Sequence, residues 1–165
     1  MARKVFYSFH YKPDHWRVSQ VRNMGIVEGQ PLLSDHDWEE VEKGGDKAIE
    51  KWIDDQMTGK SCIVVLIGKD TASRKWVKHE IKKAWDAKKG VVGIYIHNLK
   101  NKDGEQTTQG SNPFDNITVD GKKLSSIVNA HNPPYSVSTN VYDHIKSNID
   151  DWVEKAIEIR SGNKA

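Results

Sequence analysis

The chain has 165 residues, enough for one domain with a single core, and its 25 Lys and Arg nearly balance 23 Asp and Glu. A net charge of +2 supplies no general attraction to nucleic acid or to an anionic membrane, and no apolar run approaches the roughly 20 residues that cross a bilayer. The single cysteine, Cys62, rules out an internal disulfide and points to a reducing, cytoplasmic setting, where the glycosylation sequon at 116–118 carries no meaning.

In chain order, "MARKVFYSFHY" has an apolar stretch too short, and too interrupted by Ser8 and His10, for a signal sequence; residues 5–9 read as a first strand. After Pro13, "DHWRVSQVRNM" predicts a helix with Asp14 as its N-cap, and "PLLSD" fits a short second strand. "DKAIEKWIDDQM" predicts a helix from Asp46, with Ala48, Ile49, Trp52, Ile53 and Met57 at helical spacing. Residues 62–68 ("CIVVLIG") and 91–97 ("VVGIYIH") are near-continuous apolar runs, as strands covered on both faces tend to be. Between them a helix is expected over about 73–89, stopped by Gly90.

Residues 98–137 are polar, with Gly104, Gly110, Gly121, "SNPFDN" and "NPPY", and any fifth strand must lie among them. A final helix over about 139–160 puts Val141, Ile145, Ile149, Trp152, Val153, Ala156 and Ile157 on one face. Strands alternating with helices predict a three-layer α/β domain spanning 1–165, a parallel sheet of about five strands with helices on both faces.

Several motifs fail on their context. "GKS" at 59–61 mimics the end of a phosphate-binding loop, but Asp54 stands where its first glycine belongs and a strand follows instead of preceding it. "HEIKK" at 79–83 has Lys83 in the place of a zinc protease's second histidine, and no G-x-G-x-x-G occurs. A phosphate-receiving signalling domain needs carboxylates where this chain has Ile67-Gly68 and Ser8-Phe9-His10. The lysines of the 73–89 helix read as its solvated face. Trp52, Trp85 and Trp152 fit apolar faces, whereas Trp38 and Trp76 fall near strand ends, where they can line a cleft.

Glu80 breaks the pattern. At about 100° per residue, Trp76, Val77, Ile81, Ala84 and Trp85 cover one half of the helix, and Glu80 falls inside that apolar arc. An ionised carboxylate there is costly unless it is paired, hydrogen-bonded or open to a cleft. It also follows the central strand, near the carboxyl edge where open parallel sheets bind ligands. A carboxylate facing an aromatic cleft is suited to steadying an oxocarbenium-like sugar centre.

"VFYSFHY", "WEE", "VVLIG", "TASRKWVKHEI", "GIYIHNLKNKDG" and "NPFD" occur in that order over residues 5–115, and together they resemble the TIR-like proteins of the Thoeris antiphage system, its B component. The resemblance implies a flavodoxin-like fold and an enzyme that cleaves the nicotinamide glycosidic bond of NAD with Glu80 as the catalytic glutamate. It further implies a cyclic ADP-ribose isomer as product, a separate Thoeris effector activated by that product, a phage-derived trigger and a homo-oligomer. NAD is then a substrate, and no cofactor, metal, nucleic acid or membrane is expected. Ser8, Phe9, His10, Trp38, Trp76, Asn112 and Phe114 are the candidates for holding substrate. Two other readings stay open: a non-enzymatic adaptor acting by self-assembly, with Glu80 structural, and an enzyme acting on nucleosides.

Overall fold

The computed structural model describes residues 2–163. Side chains alternate across the first strand, β1 (Lys4–Ser8): Val5 and Tyr7 enter one hydrophobic cluster, and Phe6 enters the other. Ser8, two residues beyond Phe6, therefore shares Phe6's face. Helix α1 (Tyr11–Arg22) begins before Pro13 instead of after it. Proline is tolerated there because first-turn N–H groups have no helical acceptor. Asp14 is consequently not the N-cap. It lies one turn in, buried, and pairs with Arg17 at 3.0 Å.

The second strand, β2, is only Glu28–Gly29, upstream of the expected "PLLSD", which is irregular. Ser34 instead caps an unpredicted helix, α2 (Asp35–Lys43), by accepting a hydrogen bond from the Asp37 N–H. Helix α3 (Asp46–Met57) and strand β3 (Cys62–Ile67) follow as expected, and every residue of β3 is buried. Helix α4 (Lys75–Asp86) ends three residues earlier than predicted. Lys88, at φ 62°, turns the chain, and Gly90 is already the first residue of β4 (Gly90–Tyr95).

Within the long polar segment, β5 (Thr118–Val119) and β6 (Lys122–Lys123) form a small antiparallel hairpin closed by Asp120 and Gly121, both at positive φ. The segment also supplies the fifth strand of the main sheet, β7 (Ala130–His131), before α5 (Ser138–Ser161). The main sheet has the order β2-β1-β3-β4-β7, and all its pairs are parallel. One face is covered by α1 and α5 and the other by α3 and α4, which is the expected three-layer arrangement.

The lysine-rich face of α4 is solvated, and two of its members, Lys75 and Lys83, form ion pairs with Asp46 and Asp54 of α3. The long segment is tied down by Arg17, which donates to the Leu99 and Glu105 carbonyls at 2.8 and 2.9 Å and reaches the Asp14 carboxylate as well. Cys62 is fully buried in the α1/α5 cluster, consistent with an ordinary core residue.

Candidate active site

The local geometry of β2 opens a cavity beside the end of β1. The Gln30 side chain accepts a hydrogen bond from the Tyr7 N–H (2.8 Å) and donates to the Tyr7 carbonyl (2.9 Å), so it stands in for a strand residue. Gly29 lets the Tyr7 ring lie flat on the chain, since a Cβ there would sit 2.2 Å from a ring carbon. Pro31 follows, and the backbone leaves the sheet. The resulting cavity, of about 430 Å³, is bounded by the end of β1, the start of α1, residues 30–33, α2, α3 and the first turns of α4.

An aromatic series forms one wall. Phe9 stacks on Tyr11 (5.4 Å between centroids), Tyr11 stacks on Trp38 (5.0 Å), Trp38 meets Trp52 edge-on (5.6 Å), and Trp52 meets Phe6 (6.2 Å). Such a surface offers a heteroaromatic ring faces and edges at once. Trp76, His10, Lys12, Arg74 and Lys75 complete the mouth. Lys12 is paired with Glu39 and Lys75 with Asp46, while Arg74 makes no ion pair among the described residues. Burial, reinforced by the Arg74 charge and opposed by Asp70, lowers the affinity of His10 for a proton. The Tyr11 phenol is pushed up to about 12 by burial.

Glu80 lies at the inner end. It is only 7% exposed, on the face of α4 shared with Val77, Ile81 and Ala84. Its Oε1 accepts a hydrogen bond from the fully buried Ser8 hydroxyl at 2.6 Å. Oε2 has no hydrogen-bond partner among the described residues and is not sealed from the cavity that Glu80 lines. Burial pushes the Glu80 carboxyl up to about 8, and the Ser8 hydrogen bond pulls it back. With its pKa raised this far, the Glu80 carboxyl is substantially protonated at neutral pH, and a positive charge beside it favours its ionised form.

Of the residues singled out in the sequence, Phe9, His10, Trp38, Trp76 and Glu80 meet around this one cavity, and Ser8 lies directly behind Glu80. Asn112 and Phe114 do not reach it. Phe114 is fully buried in the α3/α4 core cluster, and the Asn112 side-chain Oδ1 caps the short turn that carries it by accepting from the Phe114 N–H. Their "NPF" pattern is a packed turn. Trp52, expected in the core, stands half-buried on the cavity wall. Tyr11, Gln30 and Arg74 were missed. Tyr11 was findable from its i, i+2 spacing to Phe9, whereas nothing in the sequence marks Gln30 as a backbone substitute.

A parallel α/β domain with one buried carboxylate at an aromatic-lined cleft, outside the carboxyl ends of its strands, is a TIR-like domain by architecture. The family profile described as Thoeris protein ThsB, TIR-like domain, matches residues 6–101, and the chain belongs to that family. It is also similar to a Bacillus cereus (strain MSX-D12) protein provisionally named cyclic ADP-D-ribose synthase ThsB1, with 36% identity covering 75% of this chain and 69% of that protein. The family match spans the whole cavity lining and ends before the β5/β6 hairpin.

Proposed function

We propose that the protein breaks the nicotinamide glycosidic bond of NAD and closes the remaining ADP-ribose into a cyclic isomer that serves as a second messenger in Thoeris antiphage defence. The observation that carries this reading is Glu80, a desolvated carboxylate with one oxygen anchored and one open to an aromatic cavity. The nicotinamide ring of NAD is cationic, and next to it the carboxyl gives up its proton. As the C1′–N bond breaks, its electron pair leaves with nicotinamide, which departs neutral. Positive charge then moves onto the ribose ring, where the Glu80 carboxylate stabilises it in a water-poor setting.

A ring nitrogen or hydroxyl of the same ADP-ribose attacks C1′, and a hydroxyl that attacks gives its proton to Glu80 or solvent. Attack by water gives linear ADP-ribose instead, so the aromatic wall of Phe9, Tyr11, Trp38 and Trp76 favours cyclisation by excluding water. Because the leaving group departs neutral, the step calls for no metal. Arg74, without an ion-pair partner among the described residues, is the cation free to meet the diphosphate. The cyclic product passes to a separate Thoeris effector, a phage-derived trigger starts synthesis, and the active form is a homo-oligomer in the cytoplasm. No helix among the described residues is long and apolar enough to cross a membrane.

The test is nicotinamide release and product mass from NAD, for wild type and Glu80→Gln, in lysates of phage-infected and uninfected cells. The expected result is a cyclised ADP-ribose from wild type after infection and none from the folded variant. No product from wild type in any lysate overturns the enzyme reading in favour of an adaptor that works by self-assembly. Turnover of free nucleosides in preference to NAD overturns the choice of substrate.

A further inference from the structure

The face of β1 that carries Phe6 would continue with an apolar residue at position 8 if packing were its sole requirement, because that position is completely buried. It carries serine. A buried hydroxyl is expensive unless bonded, and the bond Ser8 makes is to Oε1 of Glu80, 72 residues away in sequence, at 2.6 Å. The backbone on which Ser8 sits is fixed on both sides. Ser8 is in register with Val65 of β3, and the preceding residue, Tyr7, has both its N–H and its carbonyl held by Gln30. Glu80 in turn stands on a helix held by the buried Val77, Ile81 and Ala84. The hydroxyl is thus a rigid donor aimed at a rigid carboxylate.

From this geometry we infer that Ser8 is a positioning residue, one that fixes the rotamer of Glu80 and leaves Oε2 as the single oxygen presented to the sugar. The inference rests on the NAD-cleaving reading above for its reaction, but not for its geometry. A carboxylate free to rotate in a wide cavity would spend part of its time turned from the reacting carbon, and small misplacements lower rates steeply. The hydrogen bond also favours the charged form of Glu80, which the reaction uses. The other charged or titratable groups lining the cavity are Tyr7, His10, Tyr11, Lys12, Glu42, Arg74 and Lys75, and none of these is hydrogen-bonded to Glu80. The substrate-binding role expected for Ser8 gives way to this one, because its hydroxyl is sealed behind the carboxylate.

The experiment follows the Glu80 side-chain carboxyl by carbon NMR through a pH titration of the full chain without substrate, in wild type, Ser8→Ala and Ser8→Thr. It is joined to the pH profile of kcat/KM for NAD in the same three proteins, assayed under conditions where wild type is active. For Ser8→Ala the titration midpoint should rise by about one pH unit. The acid limb of kcat/KM should rise with it, and kcat should fall about tenfold, as expected for one lost hydrogen bond to a charged group. Ser8→Thr, which restores the hydroxyl, should restore all three. A folded Ser8→Ala protein with an unmoved midpoint and limb overturns the inference, as does failure of Ser8→Thr to differ from Ser8→Ala. Should Ser8→Ala not fold, Ser8→Cys keeps the volume with a weaker donor and is judged on the same criteria. If wild type never consumes NAD, the proposed function falls by itself, and the NMR midpoint alone decides for or against the hold of Ser8 on Glu80.

Discussion

Replacing Glu80 by Gln should make the protein more stable, and increasingly so as pH rises. The native carboxyl titrates at about 8 because it is buried, against 4.5 in the unfolded chain. Below pH 4.5 both states hold the proton, and the folded state carries no penalty. Between the two values the unfolded chain releases a proton that the native state keeps, so stability falls as pH rises and levels off only above about 8. Three and a half units at about 1.36 kcal/mol each give roughly 5 kcal/mol lost across that window. That is an upper figure, because water in the cavity reaches Oε2; at least about 2 kcal/mol should survive. Glutamine has no proton to lose and keeps the Ser8 contact, so its curve lacks this fall. Urea unfolding of both proteins at pH 5.0, 6.5 and 8.0 isolates the effect as a difference and cancels the histidines common to both. Parallel curves, constant to within about 0.5 kcal/mol, would refute the reasoning, since Glu80 would then be ionised in the native state despite its burial.

Gln30→Leu removes both partners of the Tyr7 backbone and leaves a buried N–H and carbonyl unmet; a loss of about 2–4 kcal/mol is expected in urea unfolding, with the cavity opening onto β1. Arg17→Met strands the buried Asp14 carboxylate and frees the Leu99 and Glu105 carbonyls, so about 3–5 kcal/mol should be lost, and hydrogen exchange should rise first around residues 99–105. Trp38→Ala should cost only about 1–2 kcal/mol of stability, because its helix α2 has no buried residue. It should nevertheless raise KM for NAD about tenfold by removing the stacked wall over Tyr11, and an unchanged KM would take Trp38 out of the binding surface.

The strands and helices that read most clearly from the sequence are those whose burial is local and periodic. β3 is buried at every residue, α4 is apolar over one half, and α5 repeats its apolar face along its length, so pattern and packing coincide. The elements that escaped are held by contacts distant in sequence. β2 and β7 are two residues each, too short to show alternation, and exist because a neighbouring strand supplies the pairing. α2 has no buried residue and takes its position from Trp38 packed between Tyr11 and Trp52. The start of α1 was misplaced because Pro13 was read as a breaker, whereas first-turn positions tolerate it. At the site, Glu80 was legible because it violates a local rule, being a carboxylate inside an apolar arc. Asn112 and Phe114 misled because a capped Asn-Pro-Phe turn looks the same in sequence whether its aromatic faces a ligand or the core.

Glu80, Ser8 and Gln30 together show how the fold tolerates a costly group. A parallel sheet normally hydrogen-bonds the edge of β1 through a continuous neighbouring strand, and such a strand would fill the space where the cavity lies. Gln30 satisfies the Tyr7 N–H and carbonyl with a side chain, so the backbone is free to leave at Pro31 without stranding either of these backbone groups. Into that gap α4 brings Glu80, and the last residue of β1 supplies the one hydroxyl that keeps its carboxyl from being wholly unsatisfied. Had the carboxylate been held on both oxygens by a fixed cation, it would sit lower in energy as an anion and have less left to offer a passing cation. Left with one hydrogen bond and one open oxygen, Glu80 remains unstable as an anion until a positive charge arrives, and that residual instability is available to the transition state. The same logic sets the order of damage expected on mutation. Loss of Gln30 should unfold the edge and loss of Ser8 should detune the acid, whereas loss of the Glu80 charge should stabilise the protein and silence it.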